Sequence, residues 1–127
     1  MDPLERLRAI CLNLPETSER RNHGSPAFVV RSKSFAIFLA AGRHGPGSDL
    51  WCPAPEGVQA EVVAAEPERF FVPPYVGRGG WIGVHLDIDP DWDEIRAIIH
   101  DAYRKVAPKR LSVGLNPPAT TAPPTHA

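Results

Sequence analysis

Trp81-Ile82-Gly83-Val84-His85-Leu86-Asp87-Ile88-Asp89-Pro90-Asp91-Trp92-Asp93-Glu94-Ile95 carries the end of a sheet and the start of a helix in one short stretch. Successive side chains of a strand point to opposite faces, so Ile82, Val84 and Leu86 share one side while Trp81, Gly83, His85 and Asp87 share the other. Such a strand buries one face. Asp91 and Glu94 then have the spacing of a capping box, in which the cap side chain accepts an amide hydrogen bond at the helix start. Trp92, Ile95, Ile98, Ile99, Ala102, Tyr103 and Val106 follow at helical steps until Pro108 ends the run. A one-faced strand followed by an amphipathic helix predicts an antiparallel sheet with helices packed on one side, an α+β domain.

Upstream, Asp2 can cap a helix whose first residue is Pro3, where a missing amide hydrogen costs nothing. Leu4, Leu7, Ile10, Cys11 and Leu14 give it an apolar stripe, and the predicted helix spans about residues 3–13. Glu16 to Ser25 is polar and contains Gly24, so it reads as a loop. Ala27–Arg31 and Lys33–Leu39 are rich in β-branched and aromatic residues and predict a hairpin turning at Arg31-Ser32-Lys33. Alternation puts Phe35, Ile37 and Leu39 on one face, matched by Phe28 and Val30. A glycine-rich loop, Gly42-Arg43-His44-Gly45-Pro46-Gly47, leads to a third short strand at Leu50-Trp51-Cys52. Val58 to Ala65 predicts a short helix before Pro67, Phe70-Phe71-Val72 a further strand, and Gly77-Arg78-Gly79-Gly80 a hairpin turn before Trp81.

The chain has 127 residues, enough for one core but not for two. Its folded unit is expected over residues 1–111, with a proline-rich disordered tail over 112–127. No apolar run approaches the ~18 residues that a membrane span needs. The opening residues also lack the basic-then-apolar order of a signal peptide, so the expected compartment is the cytoplasm. Cys11 and Cys52 lie in different predicted elements, a pattern that suits free buried thiols better than a disulfide framework or a metal knuckle. Net charge is −1, but residues 1–45 hold seven Lys/Arg against four Asp/Glu, whereas residues 46–108 hold five against eleven. A basic first third therefore precedes an acidic middle.

Leu14-Pro15-Glu16-Thr17, then His23-Gly24-Ser25-Pro26-Ala27-Phe28, Lys33-Ser34-Phe35-Ala36, Pro67-Glu68-Arg69-Phe70-Phe71, Gly80-Trp81-Ile82-Gly83-Val84 and Trp92-Asp93-Glu94-Ile95 with Ala102-Tyr103 occur in an order and spacing that resemble the MmcQ/YjbR family. The resemblance covers about residues 4–111. It implies a CyaY-like, frataxin-like arrangement, also called a double wing, and a DNA-binding label that follows from that fold.

No pattern in the chain supplies a catalytic site, and neither a cofactor nor a metal is expected. The acidic run 87–94 lacks the glycine and the distal glutamate of a calcium loop, because those places hold Trp92 and Ile98. His23-Gly24-Ser25 has no nucleophile elbow. His44, His85 and His100 show no paired zinc spacing. Gly77–Gly80 opens into a strand, not into the helix that a phosphate cradle requires. What remains is a basic set at the predicted hairpin tips, Arg31, Lys33, Arg43, His44 and Arg78, with Trp81 beside it and Lys109 and Arg110 as an extension. The expected function is weak, salt-dependent, non-enzymatic DNA binding through backbone phosphates. The alternative is a protein-interaction module using the proline- and aromatic-rich segment 70–81.

Overall fold

The computed structural model describes residues 2–112. Helix α1 (Pro3–Cys11) starts where the Asp2 carboxylate accepts the Glu5 amide at 2.8 Å. Strands β1 (Thr17–Asn22), β2 (Ser25–Val30), β3 (Lys33–Leu39) and β4 (Asp49–Cys52) follow, then helix α2 (Val58–Ala65), strands β5 (Phe70–Phe71) and β6 (Ile82–His85), and helices α3 (Trp92–Val106) and α4 (Lys109–Ser112). The six strands form one antiparallel sheet in the order β1-β2-β3-β4-β6-β5. From residue 113 on, the stretch expected to be a disordered tail lies outside the described residues. No helix among the described residues is long and apolar enough to cross a membrane.

One face of the sheet carries the main core. Phe28, Val30, Phe35, Phe38, Leu50, Cys52, Ile82 and Val84 meet Leu7, Ile10 and Cys11 of α1 and Ile95, Ile99, Ala102 and Tyr103 of α3. Tyr103 is fully buried, sets its ring edge-on to Phe35 at 5.5 Å, and donates its hydroxyl to the Pro15 carbonyl at 2.8 Å. The hydroxyl partner is what makes a buried tyrosine tolerable. Asp91 caps α3 by accepting from the amides of Asp93 and Glu94. The Glu94 side chain turns to Arg69 instead of back to the cap, and Arg69 also holds Glu66 at 2.6 Å. This clamp ties the entry of β5 to the start of α3.

Three expectations are corrected. Residues 17–22 are not loop but an edge strand, paired from Thr17↔Val30 to Asn22↔Ser25 and turning through His23 and Gly24, both at positive φ. Likewise, Phe35 does not share a face with Ile37 and Leu39. The β2–β3 register jumps from Val29↔Ser34 to Phe28↔Ala36, so Phe35 is the extra residue of a bulge. Phe35 joins the helix-side core, while Ile37 and Leu39 go to the other side. Gly77–Gly79 is a turn of 3-10 helix, not a hairpin turn. The segment before it crosses the sheet instead of linking β5 tightly to β6.

Candidate functional site

The sheet face away from the helices has its own small apolar cluster, Ala27, Ile37, Leu39 and Trp51, with Phe71, Val76 and Trp81 packed against it. Loops, not helices, cover it. Residues 40–48 bring His44 against Trp51, with ring centroids 4.9 Å apart, and residues 72–76 bring Tyr75 edge-on to His44 at 6.2 Å. Tyr75 is 88% exposed and held at a φ of 69°, a left-handed conformation that an aromatic residue rarely takes. Beneath it lies a groove of about 620 Å³ lined by Asn22, His23, Ser25, Ile37, Leu39, Trp51, Tyr75 and Val76.

The polar groups at the groove follow from the edge strand. Cross-strand partners share a face, so the Asn22↔Ser25 and Arg20↔Ala27 pairs place Asn22 and Arg20 on this side of the sheet. Arg20 is exposed and has no ion pair among the described residues. The β1–β2 turn gathers two more guanidinium groups. Arg21 Nη1 donates to the Gly24 carbonyl at 2.8 Å, and Arg43 Nη2 donates to the His23 carbonyl. Arg20 on the open face, and Arg21 and Arg43 tied to the adjoining turn, thus lie at the same end of the sheet as the aromatic roof.

A second cleft of about 540 Å³ adjoins the first across His44. The ladder pair Asp49↔His85 points into it. His85 Nδ1 lies 2.9 Å from Asp49 Oδ1, and Phe71 stacks on the imidazole at 4.7 Å. Burial raises the Asp49 carboxyl above its ordinary range, partly countered by the hydrogen bond to His85. Nearby, Asp87 accepts both the amide and the hydroxyl of Ser48, which closes the neck of the 40–48 loop. Burial also pushes the Cys52 thiol up to about 12 and Cys11 well above its ordinary value, so neither is an activated nucleophile. Among the described residues no group of three or more His, Cys, Asp or Glu side chains gathers as metal ligands would.

The six residues expected from sequence do not form one patch. Arg31 and Lys33 sit at the β2–β3 turn, and Arg78 precedes β6 at that same end of the strands; Arg43 and His44 lie at the opposite end. Arg31 is neutralised by Glu16 at 2.7 Å, and Arg110 approaches the same carboxylate. Around Arg78, Gln59 fastens the Gly77 and Trp81 carbonyls, and the Gly79 and Gly80 amides bond to Val76 and Gly77. Those amides are therefore spent within the turn. Trp81 packs half-buried against the open-face cluster. Arg20 and Trp51 escaped the sequence reading. Arg20 belongs to a polar stretch with no apolar period to mark it as strand, and the signal for Trp51 is its alternation with the core residues Leu50 and Cys52.

Comparison with known proteins agrees with this architecture. A family model described as YjbR matches residues 12–105. No curated protein matches the chain. Among solved structures, the crystal structure of the Deinococcus radiodurans protein DR2400, with a domain described as DUF419, superposes with a TM-score of 0.70 at 21% identity over 84% of this chain and 79% of that one. At that identity the likeness speaks for the fold. The family match spans most of the chain, and the protein belongs to the YjbR family.

Proposed function

We propose that this protein is a non-enzymatic DNA-binding module that holds single-stranded DNA across the open face of its sheet. The carrying observation is that Arg20 on the open face and Arg43 at the β1–β2 turn lie at the same end of the sheet as the His44, Trp51 and Tyr75 rings. Guanidinium groups hold backbone phosphates regardless of sequence, and rings at a groove mouth offer stacking surfaces for unpaired bases. A single strand suits this geometry because its bases are free to stack, whereas duplex bases present only their edges. Arg31 has a carboxylate partner already, and Lys33 and Arg78 lie at the far end, so they contribute less than the turn arginines.

The test is a fluorescence anisotropy titration of labelled single-stranded and duplex oligonucleotides over a range of salt. Binding to the single strand should weaken with salt by a log–log slope of about −0.7 per phosphate held. Arg20→Ala and Arg43→Ala should each flatten that slope by about one such step, while Arg31→Ala leaves it unchanged. Absence of binding to either oligonucleotide at low salt would defeat the proposal.

Tyr75 favours a second reading, a protein-docking surface over residues 70–81. A large ring that is 88% exposed next to the exposed Val72 offers the kind of anchor that interface hot spots use. Binding of a partner protein that is insensitive to salt and lost in a Tyr75→Ala/Trp81→Ala variant would select this reading over the first.

A further inference from the structure

Resting on the nucleic-acid reading of the open face, we infer that the groove beneath Tyr75 is a pocket for one unstacked nucleobase, held by a hydrogen bond from Trp51 Nε1. Trp51 is 5% exposed, and its indole N–H has no hydrogen-bond partner among the described residues. A buried donor of this kind is rarely left alone, and an unpaired one calls for a missing acceptor. Ser25 is equally enclosed, and neither its hydroxyl nor the Asn22 amide makes a side-chain hydrogen bond among the described residues. Trp51 and Ser25 thus line a groove whose apolar side is Ile37, Leu39 and Val76, with the indole N–H itself closed to solvent until the covering loops part.

Chemistry selects the occupant. An aliphatic chain would fill the floor but leave the indole N–H and the Ser25 hydroxyl unpaired. A sugar would satisfy them and could set one CH face on a ring, but it has no second flat apolar face for the floor. A nucleobase has two apolar faces and an edge of ring nitrogens and carbonyl oxygens, which answers both needs. The volume of about 620 Å³ falls within the range of about 300–1,000 Å³ common for small-molecule sites. The mouth carries the positive charge that an attached phosphate requires, since the Arg21 and Arg43 guanidinium groups both engage the His23-Gly24 turn. The base enters by parting the His44 and Tyr75 loops, which meet through the His44–Tyr75 ring contact.

The experiment is saturation-transfer NMR on the whole chain with deoxyadenosine 5′-monophosphate, and with deoxyribose 5-phosphate as a probe that lacks the base. Base protons should receive more saturation than sugar protons, and the sugar phosphate alone should bind at least tenfold more weakly. Trp51→Phe, which keeps a ring but removes the donor, should weaken the nucleotide at least tenfold while the chain stays folded, as read by its far-ultraviolet circular dichroism. Ser25→Ala supplies a second variant with the same expected direction. If Trp51→Phe and Ser25→Ala both fold and bind the nucleotide like the parent, or if the nucleotide and the sugar phosphate bind alike, the pocket is refuted. Salt-dependent oligonucleotide binding without nucleotide binding would refute the pocket and leave the open-face reading standing. Nucleotide binding without oligonucleotide binding would do the reverse.

Discussion

Gly83 and Phe71 show how single side chains shape the open face. They are cross-strand partners on β6 and β5, and the Phe71 ring lies over the space that a Cβ at position 83 would occupy. Gly83→Ala is expected to destabilise the protein by about 1–3 kcal/mol through overpacking, read as a shift of the urea midpoint. The double variant Gly83→Ala/Phe71→Ala should not add the two single losses, because the overlap has gone. Tyr103 makes a comparable point in the main core. Tyr103→Phe keeps the contact with Phe35 and removes only the bond to Pro15, so a loss of about 1 kcal/mol is expected.

Asp49 gives the residue scale a pH dependence. Burial raises its folded-state carboxyl pKa above the unfolded value, so its ionisation opposes folding. The associated stability is present below the ordinary aspartate range and is lost as pH rises through the higher folded value. Asp49→Asn has no proton to lose and retains an oxygen that can accept from His85 Nδ1. The stability of this variant relative to the parent should therefore increase as pH rises through that window. A difference between the two denaturation series that stays flat with pH would contradict the assignment.

Among the elements, those with a strong period were legible in the sequence and those specified by pairing were not. The α3 helix announced itself through its apolar stripe and Asp91, whose side chain does accept the Asp93 and Glu94 amides. Asp91→Ala should cost about 1 kcal/mol in a denaturant titration. The β6 strand likewise follows its alternation, with Ile82 and Val84 in the core and Gly83 and His85 on the open side. Strand β1 was hidden because an edge strand needs little apolar content of its own. Its helix-side residue Glu19 is satisfied by a two-point bond to Arg8, and Thr17 by the carbonyls of Cys11 and Leu14. The bulge at Phe35 was hidden for a related reason. Lys33 to Leu39 alternates locally as one strand, and only its pairing with β2 reveals the extra residue. Both misses bear on the site, since they place Arg20 and Asn22 beside Ile37 and Leu39.

Over the whole molecule, the uneven charge along the chain resolves into two ends of one sheet. The basic first third supplies Arg20, Arg21 and Arg43 to the end where the groove opens, while Arg31 at the other end is absorbed by Glu16. The positions of the basic residues along the sequence revealed their number but not their convergence, because convergence depends on a turn built by the unanticipated strand β1. Part of the acidic middle is spent on structure: Glu66 and Glu94 on Arg69, Asp91 on the α3 cap, and Asp87 on Ser48. A near-neutral chain can in this way present a locally basic surface.

The three tryptophans allow the central claim to be tested in one spectrum. Trp51 and Trp81 belong to the open-face cluster, whereas Trp92 packs on the helix side beneath Arg6. In a nitrogen–proton correlation spectrum each contributes a separate indole signal, which can be followed while a single-stranded oligonucleotide is added at low salt. The Trp51 and Trp81 signals should move and then return when salt is raised, with Trp92 unmoved. Movement of Trp92 with Trp51 and Trp81 still would place the binding surface on the helices and contradict the account.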